Sequence, residues 1–225
     1  MSSCLSVVRQ LGSSQPVTSS FPCADAQRWA EAEFEFADLG DARLHRRLIR
    51  LTAALAAAPT ASIPQACGHW AQTIGAYRFF DQQELSMEQL LQAHRDKTVA
   101  RCAQRSRVLI VQDTTSLNYG THVATEQLGP IGNTPDKAHG LLLHSSLALS
   151  ADGEPLGVLG AQCWARDPKD FGCNHRRNAR PLQEKESNKW LESFRATQQV
   201  AAQCPSTAFV HVADREADLY DFFAL

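Results

Sequence analysis

Eleven consecutive residues, Arg107-Val108-Leu109-Ile110-Val111-Gln112-Asp113-Thr114-Thr115-Ser116-Leu117, limit what this chain can fold into more than any other stretch. An unbroken β-branched and aliphatic run bounded by polar residues reads as a strand buried on both faces. Here the run stops on an acid, Asp113, which emerges where the sheet meets solvent. The pattern returns near the end of the sequence, where Ser206-Thr207-Ala208-Phe209-Val210-His211-Val212-Ala213 runs into Asp214-Arg215-Glu216-Ala217-Asp218. If the two strands lie side by side and parallel, both acids project from one edge of the sheet, where open α/β sheets place their ligands. Two carboxylates held that close repel, and the usual remedy is a divalent cation with oxygen ligands. Taken alone, either acid reads as a helix N-cap or a turn residue.

Between the two acids the order of elements is legible. Two strands are expected at 141–149 and 156–164, joined by the hairpin-like turn Ala151-Asp152-Gly153-Glu154. The segment from Arg166 to Pro181 has no periodicity and collects Arg166, Lys169, Arg176, Arg177 and Arg180, an exposed basic loop. Helical spacing resumes from Glu184 to Cys204 through Trp190, Phe194 and Val200, with Pro205 after it. A crossover of this length is what a parallel return to the sheet requires, and the Asp214 strand is that return. From Ala217 to Leu225 another helix is expected.

The residues before 106 have a different character. A Ser-rich leader with Pro16 and Pro22 covers 1–24 and is too polar to order itself. A helix follows from Asp25, with Trp29, Phe34 and Phe36 as apolar bulk, and ends at Leu39-Gly40. Asp41 suits the N-cap of a second helix carrying Leu44, Leu48, Leu51 and Leu55. Its other face bears Arg43, Arg46, Arg47 and Arg50, which fits either a solvated face or a phosphate-contacting one. Pro64 opens a third helix bearing Trp70, Ile74, Tyr77 and Phe80 to Asp81, within which Gly75-Ala76-Tyr77-Arg78-Phe79 has a glycine permitting close approach of another backbone. Ser86-Met87-Glu88-Gln89 has the spacing of a capping box for a fourth helix. A helical domain over 25–105 and a sheet domain over 106–225 are therefore expected.

A net charge of −2 gives no global pull toward nucleic acid, so any such binding must come from local clusters such as the arginine stripe. The seven cysteines include no C-x-x-C pair and fit reduced thiols. No apolar run approaches the roughly 18 residues of a membrane span, and the start lacks the features of a secretory signal, so no membrane association and a cytoplasmic location are expected.

Three antiparallel strands, a crossover helix and a parallel fourth strand form the opening order of the ribonuclease-H-like fold, whose first and fourth strands are neighbours bearing acids that bind catalytic cations. On this order and its motifs the chain resembles the insertion-sequence-4 family of DDE transposases, the family of the transposon-five transposase. Leu39-Gly40-Asp41-x-Arg43 and Gly75-Ala76-Tyr77-Arg78-Phe79 resemble its amino-terminal DNA-binding region. Asp113-Thr114-Thr115-Ser116-Leu117 resembles the block of its first catalytic aspartate, Glu184-Lys185-Glu186-Ser187 with Lys189-Trp190-Leu191 an internal block, and Asp214-Arg215-Glu216-Ala217-Asp218 the block of its second.

The resemblance implies a helical DNA-binding domain followed by an incomplete ribonuclease-H-like mixed sheet of four strands. It implies Asp113 and Asp214 as ligands for Mg2+, with Mn2+ as substitute, and Arg43, Arg47, Tyr77 and Arg78 as contacts to double-stranded transposon-end DNA. Relatives of full length dimerise on DNA, through a region not found here. They also carry a third catalytic Glu on a helix bearing a Tyr, an Arg and a Lys, none of which lies in these 225 residues. The expectation is therefore the amino-terminal part of a transposase, nucleoid-associated when bound to DNA, binding cations weakly and inactive in cleavage and strand transfer alone. The alternative is a truncated, non-catalytic DNA-binding inhibitor of transposition.

Overall fold

The computed structural model describes residues 23–122, 124–132, 138–170 and 181–220. Of the expected features, most of the leader, Arg176, Arg177 and Arg180 of the basic loop, and the last five residues of the helix from Ala217 lie outside the described residues. The chain divides between Gln89 and Leu90 into two compact units.

In the first unit, α1 (Cys23–Glu33) buries Ala26 and Ala30, and α2 (Ala42–Ala57) buries Leu48, Leu51 and Ala53. Asp41 caps α2 as expected, its carboxylate accepting the Arg43 amide at 2.6 Å. The single helix expected from Pro64 to Asp81 is instead two, α3 (Ile63–Cys67) and α4 (Trp70–Phe80). Gly68 breaks it by taking the left-handed conformation at φ 74°, which lets its N–H return to the Pro64 carbonyl and close the helix. His69 is then extended and caps α4, its Nδ1 accepting the Gln72 amide. Thr73, Ala76 and Phe79 are buried, whereas Trp70, Tyr77 and Phe80 are 74%, 49% and 56% exposed. Thr73, Ala76 and Phe79 recur every three residues and form one side of the helix, so a row of small residues ending in one phenylalanine makes the packed face.

The second unit is a mixed α/β layer. α5 (Met87–Cys102) opens on the capping box, with Gln89 N–H donating to Ser86 Oγ and the Ser86 amide donating to Gln89 Oε1. The strands are β1 (Arg107–Asn118), β2 (Gly129–Pro130), β3 (His139–Ser150), β4 (Pro155–Trp164) and β5 (Ala208–Val212), and α6 (Asn188–Gln203) precedes the last. β3 pairs antiparallel with β1 from Val108↔Ser150 to Asn118↔Gly140, and on its other edge with β4 and β2. β5 lies parallel to β1. The sheet has five strands rather than four because Gly129-Pro130, expected in a loop, pairs with Gly140 and His139.

α5 does not close the front unit at residue 105; from Leu90 it belongs with the sheet, and its hydrogen bonds show why. β4 is bulged twice against β3, at Leu159 and at Leu156. Arg95 Nε donates to the Leu159 carbonyl at 2.9 Å, Arg101 Nε to the Leu156 carbonyl at 2.6 Å, and the Val158 amide donates to His94 Nε2 at 2.8 Å. Backbone groups that the bulges pull out of the ladder are thus satisfied by α5. Gly157 makes the approach possible: its φ is 141°, and a Cβ there would stand 2.1 Å from Thr98 Oγ1.

β1 is buried on one face only, another departure from expectation. Val108 and Ile110 pack with Ala148, Leu156, Leu159, Cys102, Val200 and Cys204, while Leu109 and Val111 on the other face are half-buried. On that second face of β5, Val210 and Val212 are each 42% exposed. Nor does β1 stop at Asp113: the partner strand β3 continues, so β1 runs on for five residues to Asn118.

Candidate nucleic-acid interface and acidic rim

On α2, Arg43, Arg46, Arg47 and Arg50 fall at i, i+3, i+4 and i+7, one stripe of the helix. Arg43, Arg46 and Arg50 are exposed and Arg47 is half-buried. Its position has a cause on the neighbouring helix: Arg47 Nε lies 3.7 Å from where a Cβ of Gly75 would be. The close approach expected at Gly75 is thus made by an arginine side chain rather than by backbone. Tyr77 and Arg78, both exposed, follow on α4, and Gln82 Nε2 donates to the Arg78 carbonyl at 2.9 Å. α2 and α4 together contain five arginines and no carboxylate, so a chain of net charge −2 carries a locally cationic surface here. At the base of the stripe, the Arg43 amide hydrogen bond, and then the Arg43 and Arg46 guanidinium charges, hold the Asp41 carboxyl below its ordinary range. Asp41 therefore stays ionised as the cap.

The acidic rim is set by strand register. The last parallel pair is Val111↔Val212, and Asp113 and Asp214 each lie two residues further along. Asp113 continues β1 on the face of Val111, Asp214 follows the end of β5 as the cap of the next turn, and both are exposed. Asp214 also has the humbler role open to a single acid. Its Oδ1 accepts the Glu216 amide at 2.9 Å and caps the 3₁₀ turn Arg215–Ala217. Among the described residues no three His, Cys, Asp or Glu side chains are grouped to hold a metal ion.

Behind the rim runs a polar relay that the sequence pattern did not disclose. Gln112 Nε2 donates to His211 Nδ1 at 3.0 Å, and His144 Nε2 lies 3.4 Å from Gln112 Oε1, which can only accept. That leaves His144 Nδ1 to accept the Thr114 hydroxyl at 3.0 Å. The relay crosses β3, β1 and β5 and ties down the residues on either side of Asp113. Its rings are covered by α6, with Trp190 4.6 Å from His144 and Phe194 4.6 Å from His211. Burial, and next the Lys189 charge, push His144 down to about 4. Asp113 and Asp214 both oppose that shift, so the two acids share this electrostatic neighbour. Burial lowers His211 too.

Lys189 is itself buried, with Nζ 3.3 Å from Glu216 and 3.9 Å from Glu186. Arg166 closes the brace through two 2.7 Å contacts to Glu186, which hold its guanidinium above the ordinary range. Arg166 is therefore a half-buried ion-pair partner, not part of an exposed basic loop. The clue available in the sequence was the placing of Gln112 and His144 at positions where the strand alternation calls for apolar residues.

No described helix is long and apolar enough to cross a membrane. Residues 26–85, which span the arginine stripe and all of α4, match the family model for transposase DNA-binding. The match supports a transposase-like, DNA-binding role for the helical unit.

Proposed function

We propose that this chain acts in transposition: its first unit binds double-stranded transposon-end DNA through Arg43, Arg47, Tyr77 and Arg78, and its second carries two ligands of a divalent-metal site, Asp113 and Asp214. The observation that carries the reading is that the matched residues 26–85 include α2 and α4, two helices with five arginines and no carboxylate of their own, the Asp41 cap pairing with Arg43 at one end. Such a surface neutralises phosphates and releases their counterions. In this reading the sheet is the opening of a ribonuclease-H-like domain, and the chain is of the insertion-sequence-4 type resembling the transposon-five transposase. Strand order and the equal two-residue offset of the acids from the last parallel pair support it.

Mg2+, or Mn2+ in its place, would be held by Asp113 and Asp214 and would supply activation of the attacking oxygen and stabilisation of the leaving oxygen at phosphorus. The chain's own contribution in this reading is the β1–β5 register, which ends two residues before each acid, and the Gln112 relay on either side of Asp113. Two carboxylates, one already serving as a cap, make a weak cation site, so DNA cleavage and strand transfer are not expected of these 225 residues alone. A non-catalytic DNA-binding inhibitor of transposition is the second reading, favoured because the family match falls on the DNA-binding residues 26–85. In this reading the protein works on the nucleoid, in the cytoplasm.

The test is binding to duplex DNA by gel shift across a salt series, with nicking and joining assayed in Mg2+ and Mn2+. Binding that weakens with salt, falls about tenfold in the Arg43→Ala, Arg47→Ala double variant and comes without cleavage supports the first unit's role. Unchanged affinity in the double variant would return the arginines to a solvated face. Cleavage that Asp113→Ala abolishes would show the two acids to suffice and remove the inhibitor reading.

A further inference from the structure

Trp70 is among the most exposed large side chains of the described residues, and nothing assigned so far uses it. It begins α4, and Ile74, Tyr77 and Arg78 follow at i+4, i+7 and i+8, one stripe on the side of the helix away from buried Thr73, Ala76 and Phe79. An aromatic side chain held three-quarters in water forgoes the burial that normally keeps it inside, and clustering of two such groups on one stripe marks a surface for a partner. The character of that partner is set by charge. Arg78 borders the stripe on α4 itself, and Arg47 reaches across to Gly75 on the flank of the same helix. With no carboxylate on either helix, the surroundings suit a polyanion rather than an apolar protein face.

A nucleic acid is the polyanion with flat apolar faces to offer. In an undisturbed duplex those faces are covered by neighbouring bases and only base edges line the grooves. A surface indole can stack on a base only when that base has left its stack. We infer that Trp70 and Tyr77 form a stacking platform for unstacked bases, beside an arginine stripe that holds the backbone. The unit is then selective for DNA that is unpaired or distorted at the bound site. Tyr77 lies two turns beyond Trp70, about 10.5 Å along the axis, so the two rings take different bases. This inference rests on the reading of the first unit as DNA-binding, and extends it to the state of the DNA bound.

The experiment uses the full chain and three fluorescent oligonucleotides: a perfect duplex, the same duplex with one unpaired nucleotide, and a single strand. The expected result is a preference of about tenfold for the interrupted duplex over the perfect one. Trp70→Ala erases that preference and leaves perfect-duplex affinity unchanged, while Trp70→Phe keeps most of it. A 2-aminopurine at the unpaired position is quenched by the unaltered protein and not by Trp70→Ala. Equal binding of all probes by Trp70→Ala, Tyr77→Ala and the unaltered protein overturns the platform. So does an equal loss on perfect and interrupted duplex, which would mean a groove contact. Self-association removed by Trp70→Ala also overturns it, assigning the stripe to a second copy. Failure of the unaltered protein to bind any probe strikes instead at DNA binding itself, and is distinguishable because no preference is then measured.

Discussion

The two units invert each other's use of side chains. The first turns Trp70, Tyr77 and Phe80 outward and packs Thr73 and Ala76 inward. The second buries His144, Gln112 and Lys189 and leaves Val210 and Val212 at the surface. In the first unit Phe80 turns edge-on to buried Phe79, while Trp70 and Tyr77 stand outward on α4 as a surface that a partner can reach. In the second, His144, Gln112 and Lys189 each have a named hydrogen-bond or ion-pair partner, so they are committed to the scaffold around Asp113. Side chains set against the hydrophobic rule therefore mean different things in the two units: an available surface in one, a fixed scaffold in the other.

The contrast is broken most severely where the scaffold is tightest. Gly157→Ala adds a methyl 2.1 Å from Thr98 Oγ1 at a φ of 141° that L-residues rarely adopt. α5 must then withdraw from the β4 bulges that it satisfies, and a loss of about 3 kcal/mol in urea unfolding is expected. A loss under about 0.5 kcal/mol would mean that α5 is not fastened there. Next in size is Gln112→Leu, which leaves His144 Nε2 and His211 Nδ1 without the partners described and should cost roughly 2 kcal/mol. If Gln112→Leu is neutral or stabilising, the relay does not hold the rim and the comparison loses its second half.

Acid tests the same relay by a third route. His144 is neutral in the folded protein because burial has pushed it down to about 4, against about 6.5 when unfolded. Below pH 6.5 the unfolded chain gains a proton that the folded chain refuses, so stability falls as the pH drops toward about 4 and is then fully lost for this group. A decline of roughly 2 kcal/mol is expected across that window, after screening by water. His211, lowered in the same direction, adds to it. His144→Gln should flatten the curve; an unchanged slope would assign the acid sensitivity elsewhere.

How much of this could be read beforehand depended on whether the deciding interaction was local. Asp41, Ser86 and Pro64 act within a few residues, so the starts of α2, α5 and α3 were legible. The parallel return of β5 was legible because a crossover helix of that length leaves few other topologies. The split at Gly68 needed one backbone angle that composition does not specify. The attachment of α5 depended on two bulges in a strand more than fifty residues away, as in the Arg101 to Leu156 contact. The Gln112 relay joins residues up to 99 apart, so polar residues at apolar strand positions hint at it without naming the partners. The outward turn of Trp70 was not legible, because helical spacing identifies a stripe without saying which side of it faces water.

The smallest effect is expected where the first unit is most exposed, and it completes the contrast. Trp70→Ala and Tyr77→Ala remove large side chains, and in a core each would cost about 3 kcal/mol or more. At 74% and 49% exposure little burial is lost, so each variant should unfold within about 0.5 kcal/mol of the unaltered protein. Ala76→Leu, one residue before Tyr77 but 2% exposed, should cost about 1–3 kcal/mol by overpacking. The three are compared by urea unfolding followed in the far ultraviolet, since loss of an indole changes fluorescence regardless of stability. If the Trp70 and Tyr77 variants unfold as early as Ala76→Leu, the aromatic stripe is part of the unit's own packing. It would then not be available to a partner, and the distinction between an available surface and a fixed scaffold would not hold.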